Sequence, residues 1–387
     1  MKKLTVAIGK KLLAYSLGFL ANLFKLRFGL INQVALGHLA FDTEVNFLES
    51  NENRKMGKHF WYLVGTPTNQ ILSNYWKKKV GANKNPIRLR MYSALQPFPR
   101  FHHLLLNREI GAGDGAILDE WPSTFAFTVS QSKRANYLRN RLNINFAKPL
   151  VLFCLRDDAY YRHRGDILNM SIHSHRNVDP NRYTAAIEFF LSKGCTVVRM
   201  GRLTDFEFVI KDKDFIDLPN NQEFSVQQIG LQDREILELV LFQECKFVIS
   251  TGLGLDALGT LFRKRIYLAD MYSICNLYAT KLFPLVLPKG YLNSKENSIL
   301  NFGDVLGGFF VASKTAKEFE SAGISLVDCS EDQILKFATD VYNLEFLEIQ
   351  PKSSKASDAH QEFFSSRFNV SGDSVPRISE HWLNCGE

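Results

Sequence analysis

The stretch "DPNRYTAAIEFFLSKGCTVVRM", Asp179 to Met200, decides the fold. Asp179 is a helix N-cap residue, and Pro180 suits the first helical position, where its missing N–H would have no partner anyway. Gly194 stops the helix, and "CTVVRM" (Cys195–Met200) follows as a near-continuous apolar run without period-two alternation. That is the mark of a strand covered on both faces. The flanking sequence repeats the unit. "PLVLFCL" (Pro149–Leu155), "KFVIS" (Lys246–Ser250) and "RIYLAD" (Arg265–Asp270) are runs of the same kind, separated by the helical patterns "DREILELVLFQE" and "LDALGTLFRK". Alternating strand and helix predicts an α/β protein with a parallel, doubly wound sheet. Ligands of such sheets bind beyond the carboxyl ends of the strands.

The residues in those places share a character. Leu155 is followed by Arg156, Asp157 and Asp158; Val198 by Arg199, Met200, Gly201 and Arg202; Ile249 by Ser250, Thr251, Gly252, Leu253 and Gly254. "HSHRN" (His173–Asn177) lies just ahead of the Asp179 helix and brings Arg176 and Asn177 to the same rim. Guanidinium forks fit phosphate oxygens, and a Ser-Thr-Gly turn before a helix offers backbone N–H groups. The pattern predicts an anion cradle. The competing reading pairs Arg156 with its neighbour Asp157 and with loop backbone.

Composition bounds the rest. A chain of 387 residues is too long for one ordinary core, so two domains and a cleft are expected. With 45% hydrophobic and 22% charged residues, neither disorder nor a fibrous repeat is indicated. A net charge of +7, with Lys and Arg residues scattered rather than gathered into one stripe, favours small anionic ligands or a membrane surface over a nucleic acid. None of the six cysteines forms a CxxC, which points to a reducing compartment, and only His173 and His175 approach metal-ligand spacing, so no metal is expected. At the N-terminus the apolar run Leu12–Phe24 lies between Lys10/Lys11 and Lys25/Arg27. It is too short to span a bilayer, which takes about 20 residues, leaving two readings: an amphipathic membrane-surface helix, or a terminal helix packing on its own domain. "FWYLVG" (Phe60–Gly65) predicts a strand, "TPTNQILSNYWKKKVG" a helix ending at Gly81, and "LRMYSALQPF" a further strand. "GAGDG" (Gly111–Gly115) lacks the strand and helix of a dinucleotide fingerprint and reads as a loop, as does "DKD" (Asp212–Asp214). "PKSSKASDAHQ" reads as a polar linker and "RISEHWL" as a closing helix.

"LFCLRDDAYY", "HSHRNVDPNRYTAAIEFFLSKGCTVVRMG", "CKFVISTGLGLDALGTLF" and, nearer the N-terminus, "LGHLAFDTEVNF" and "GTPTNQILSNYWKKK" together resemble the TIGR-type glycosyltransferases of bacterial surface-polysaccharide loci. The resemblance runs from about Gly29 to Leu347, with departures at Leu253, Leu255 and Asp270. It implies a GT-B-like pair of Rossmann-like domains facing a cleft: residues 27–145 on the acceptor side and 146–347 holding a nucleotide-sugar, preceded by a helix over 1–26 and followed by a linker and helix over 348–387. It implies metal-independent transfer without a cofactor to a glycan or lipid-linked acceptor, in the cytoplasm or at the inner face of the cytoplasmic membrane. The donor-binding set would be Arg156, Arg176, Asn177, Arg199, Gly201, Ser250, Thr251 and Gly252. For the base that deprotonates the acceptor, His38 is preferred because neutral imidazole accepts a proton near pH 7, with Asp42, Glu44 and Asp157 as alternatives. A sugar-nucleotide epimerase or hydrolase on the same fold, and a silent binding protein of an assembly complex, are the competing classes.

Overall fold

A computed structural model describes residues 2–52, 57–106, 110–145, 147–163, 165 and 167–382. The chain divides into two compact units, Met1–Ile110 and Gly111–Glu387.

The first unit runs α1 (Lys2–Leu23), β1 (Leu26–Asn32), α2 (Thr43–Glu52), β2 (Lys58–Val64), α3 (Gln70–Val80), α4 (Pro86–Leu95) and β3 (Leu105–Leu106). Its sheet is parallel, in the order β2-β1-β3. The helix expected from "TPTNQILSNYWKKKVG" is α3: the Asn69 side chain accepts the Leu72 N–H, and Gly81 ends it with φ near +63°, a conformation that favours glycine. The strand expected at "LRMYSALQPF" is instead part of α4. Asn85 caps the Ile87 N–H and Pro86 occupies the first turn, and these local start signals outweigh the β-compatible run that follows. With that strand gone, the sheet has three strands, fewer than the Rossmann-like domain expected of this region.

The second unit is built on a seven-stranded parallel sheet. Its strands are β4 (Leu150–Cys154), β5 (Thr196–Arg199), β6 (Phe215–Asp217), β7 (Phe247–Ser250), β8 (Arg265–Met271) and β9 (Leu285–Pro288). The seventh is β13 (Arg377–Ile378), and beyond them lie β10 (Gly290–Asn293), β11 (Ser298–Ile299) and β12 (Ile324–Val327). The order is β13-β9-β8-β7-β4-β5-β6, while β11-β10-β12 form a small antiparallel sheet. Every residue of β4, β5 and β7 is buried, as the unbroken apolar runs predicted. The helix over the opening stretch forms as expected: the Asp179 carboxylate accepts the Asn181 N–H, Pro180 begins a turn of 3₁₀ helix, Thr184–Ser192 is α-helical, and Gly194 turns the chain at φ near +78°.

Three boundaries differ from expectation. Residues 111–145 belong with the second sheet, because the helix Val129–Arg141 packs on the helix Leu231–Glu244. Its Ala135 and Leu138 are buried, Arg134 pairs with Asp233, and Arg141 donates to Glu223 at 2.8 Å. The "linker" carries a helix, Lys355–Phe368, capped by Ser354, whose Ala356, His360 and Phe364 recur every four residues as a buried stripe that the polar composition conceals. The expected closing helix is β13, which extends the sheet beside β9. Trp382 is buried with its indole N–H donated to the Lys289 carbonyl at 2.9 Å. "GAGDG" forms a short 3₁₀ helix, Ala112–Ala116, not a loose loop. Five cysteines are free and buried, small hydrophobes in the core; Cys385 lies outside the described residues.

A chain starting at Gly111 should therefore fold cooperatively, whereas one starting at residue 146 loses the Val129–Arg141 helix and its ion pairs. The shorter chain should lose about 2 kcal/mol or more and melt roughly 5 °C lower, as measured by circular dichroism.

A candidate anion-binding site beyond the strand ends

Strand register brings the residues of interest to one edge. Cys154 stands opposite Ser250, Phe153 opposite Arg199, and Ser250 opposite Leu268. The loop after β4 is tied to the turn after β7: the Arg156 N–H donates to Thr251 Oγ1 at 3.0 Å, and the Thr251 N–H to the Cys154 carbonyl at 3.1 Å. The Val178 N–H returns to the Arg156 carbonyl at 3.0 Å, which fixes the "HSHRN" segment over the same edge.

Two guanidinium groups meet there. Arg156 lies 5.4 Å from the centre of the Tyr161 ring, and its buried Nε and Nη2 find no acceptor among the described residues. Arg176 lies 4.9 Å over the Tyr272 ring and donates through Nη2 to the Gly252 carbonyl at 2.6 Å, while its buried Nε has no acceptor. Neither has a carboxylate partner among the described residues. Burial, and then the repulsion of Arg176, lower the pKa of Arg156. The His175 ring sits edge-on to Tyr272 at 5.0 Å and 5.4 Å from Phe319, with no hydrogen-bond partner at either nitrogen. Burial, followed by the charge of Arg176, pushes its pKa down to about 3. His173 stacks on Tyr161, its Nδ1 lacks a partner, and burial with the two arginines lowers its pKa as well. Both rings are neutral near pH 7 and so carry one donor and one acceptor each. Six of the fourteen buried side-chain nitrogens and oxygens left unbonded among the described residues belong to these four side chains. An unmet buried donor is destabilising by about 1–3 kcal/mol, so such a concentration points to a ligand.

The other expected contributors are committed within the protein. Arg199 is 1% exposed and sealed: it donates to the Phe206 carbonyl at 2.7 Å and Thr204 Oγ1 at 2.6 Å, and it pairs with Asp217 at 3.4 Å. Asp157 accepts from Thr204 Oγ1 at 2.6 Å and the Ala159 N–H at 3.2 Å and lies 3.7 Å from Arg199, so the pairing of Arg156 with Asp157 is not formed. Gly201, at φ near +140°, bends the chain where its carbonyl accepts from Arg234. The Asn177 carbonyl accepts the Lys289 ammonium at 2.7 Å. In the turn after β7, Ser250 Oγ donates to Asp256 at 2.5 Å, the Gly252 N–H goes to Ser250 Oγ and the Leu253 N–H to Asp256. The Asp256 carboxyl thus takes up the turn from within. Gly252 has φ near +77°, which accounts for glycine there. Arg199 leaves only its buried Nε unbonded and has carboxylates beside it; the guanidinium groups with unbonded N–H and no carboxylate partner are Arg156 and Arg176, with His173 and His175 beside them. The histidines were legible in the sequence only as poor metal candidates.

In the first unit His38 and Asp42 close a single π-helical turn, His38–Asp42, with Nδ1 and Oδ2 2.5 Å apart. What the sequence offered as alternatives is one pair. A carboxylate on Nδ1 favours the tautomer whose basic nitrogen is Nε2. The His38 side chain is 54% exposed, while Glu44 is buried.

The fold and site define a mixed α/β protein with parallel sheets and a cationic cluster beyond the strand ends. No family model matches the chain, and comparison with curated proteins gives no match, so the family resemblance stands on its residues alone. Among solved structures, the chain is similar to the glycosyl transferase family 9 from Veillonella parvula DSM 2008, at 12% identity and a TM-score of 0.42, over 81% of this chain and 96% of that one.

Burial raises the pKa of Asp256 to about 7. The folded protein then holds a proton that the unfolded chain has released between about pH 4 and 7, so stability falls as pH rises through that window and levels off above it. Asp256→Asn should flatten that slope in urea titrations at pH 4.5 and 7.5, while a slope equal to wild type would place the effect elsewhere.

Proposed function

We propose that the protein is a glycosyltransferase that moves a sugar from a nucleotide-sugar to a glycan or lipid-linked acceptor. The observation that carries this reading is the pair Arg156 and Arg176, two like charges brought together with Arg156 Nε and Nη2 and Arg176 Nε unsatisfied at the carboxyl end of a parallel sheet. A diphosphate presents oxygens on two adjacent phosphorus atoms and enough negative charge to answer both guanidinium groups. As the bond between the anomeric carbon and the diphosphate oxygen breaks, its electron pair leaves with the diphosphate, and the two cations stabilise that growing charge. Because they are fixed in place, the arrangement makes no demand on a divalent cation. The acceptor oxygen forms the new bond to the anomeric carbon while its proton passes to a general base; the candidate base is His38, whose Nε2 would take the proton with Asp42 on Nδ1 orienting the imidazole and stabilising the imidazolium that results. The motifs shared with the glycosyltransferases of surface-polysaccharide loci support the same reading.

Arg156→Ala should weaken the affinity for UDP and GDP about 10- to 150-fold, the loss of a charge-assisted hydrogen bond. Arg156→Lys should fall between the two, since an ammonium keeps the charge without the planar fork. Titration calorimetry beside melting curves of the ligand-free protein decides: unchanged nucleotide affinity with a lowered melting point would overturn the reading.

His38→Gln and Asp42→Asn should lower turnover of a nucleotide-sugar by roughly 100-fold and 10-fold while leaving donor affinity within a few-fold, because they act on proton transfer. Donor consumption that needs no acceptor, measured by nucleotide release, would favour the hydrolase or epimerase instead.

A further inference from the structure

Helix α1 is packed inside out. The fully buried part of its inward face is made of the small residues Ala14, Gly18 and Ala21, spaced four and three apart, which seat with the partly buried Leu17 on Phe101, Leu104, Phe28 and Leu95. The fit requires small residues, since a Cβ on Gly18 would stand 2.3 Å from the Phe101 ring. The outward face carries the large ones. Leu12 (65% exposed), Leu13, Phe19 (68%), Leu20, Leu23 and, just past the helix, Phe24 (64%) form a continuous apolar stripe at helical spacing in solvent. In a soluble helix these positions are polar, and a contiguous patch of this kind marks an interaction surface.

The surrounding charge identifies the occupant. Up to residue 41 the chain has six basic residues, Lys2, Lys3, Lys10, Lys11, Lys25 and Arg27, and no acidic one, so a +6 segment supplies nearly all of the net +7. Lys10, Lys11 and Lys25 are exposed at the two ends of the stripe. A second copy of the chain would bring like charges together across the stripe, whereas an anionic surface with an apolar interior satisfies both features. No helix among the described residues is long and apolar enough to cross a membrane.

We propose that the outward face of α1 is a docking surface for an anionic lipid bilayer, with Leu12, Phe19, Leu23 and Phe24 inserted at the level of the acyl boundary and the lysines on the headgroups. Apolar insertion and cationic attraction are two weak signals that together give stable attachment. Each lysine near an anionic surface adds to binding within a Debye length, so attachment weakens with salt.

Co-sedimentation of the full chain with phosphatidylcholine vesicles containing about one-third phosphatidylglycerol tests it. The expected result is binding that drops severalfold in pure phosphatidylcholine and again between roughly 50 and 500 mM salt. Phe19→Ser/Leu23→Ser/Phe24→Ser should reduce it about tenfold or more without changing the melting temperature, because these side chains have no partners in the core to lose. Lys10→Glu/Lys11→Glu should reduce it only at low salt. Equal binding by wild type and the triple variant would overturn the proposal, as would a dimer in sedimentation equilibrium that the triple variant abolishes.

Discussion

Two guanidinium groups sharing a half-buried site without a carboxylate between them is the constraint around which the second unit is arranged. Burying a cation is strongly unfavourable unless it is paired and hydrogen-bonded. Elsewhere this protein observes that rule. Arg199 has Asp217 and Asp157, and Arg202 and Arg234 both reach the buried Glu238, the first of them through two hydrogen bonds of 2.6 and 2.7 Å. Arg156 and Arg176 stand apart from that pattern, held by aromatic faces and one carbonyl oxygen. The carboxylates that answer Arg199, Arg202 and Arg234 have no counterpart at these two, and that difference is what the proposed diphosphate contact rests on.

The scaffold explains how the pair persists. Thr251 and Asp256 use up the amides and hydroxyls of the turn after β7, which makes it rigid and leaves the Gly252 carbonyl facing Arg176. On the other side the Lys289 ammonium, 2% exposed, is shared between the Asn177 carbonyl and Asp328 at 2.6 Å, and its charge is one of those that disfavour a protonated His175. A third buried tie, Tyr183 to Asp270 at 2.7 Å with the Cys329 N–H on the other carboxylate oxygen, fastens the Pro180 turn to β8 and to the segment after β12. Together these bonds hold the "HSHRN" segment from two directions. The site is thus preformed, which limits what a ligand must spend on ordering it.

The first unit obeys a different logic. Its hydrogen-bonded sheet is small, and its helix α1 presents small residues to the core and large ones to solvent. The amphipathic helix expected from the sequence would have divided polar from apolar. The structure seats small residues at the centre of the contact, because at Gly18 even a Cβ would meet the Phe101 ring, while Tyr15 and Leu17 pack around it.

Much of the fold was legible because its signals are local. The cap at Asp179, the proline beside it, the glycine stops and the buried runs of β4, β5, β7 and β8 each depend on a few neighbouring residues, and each appears where the sequence places it. The sequence also brought Arg156 and Arg176 to the strand ends, since chain order and parallel topology dictate that edge. It could not tell these two from Arg199, because whether a guanidinium is free depends on which carboxylate lies across the sheet edge: Asp217 comes from the next strand and Asp157 turns away from its own neighbour. Likewise the role of Ser250 and Thr251 was decided by Asp256 and by the loop after β4, and the domain boundary by ion pairs such as Arg134 with Asp233, 99 positions apart. Sequence determines propensity and order along the chain; the pairing of charges is a distance, and only the tertiary structure sets it.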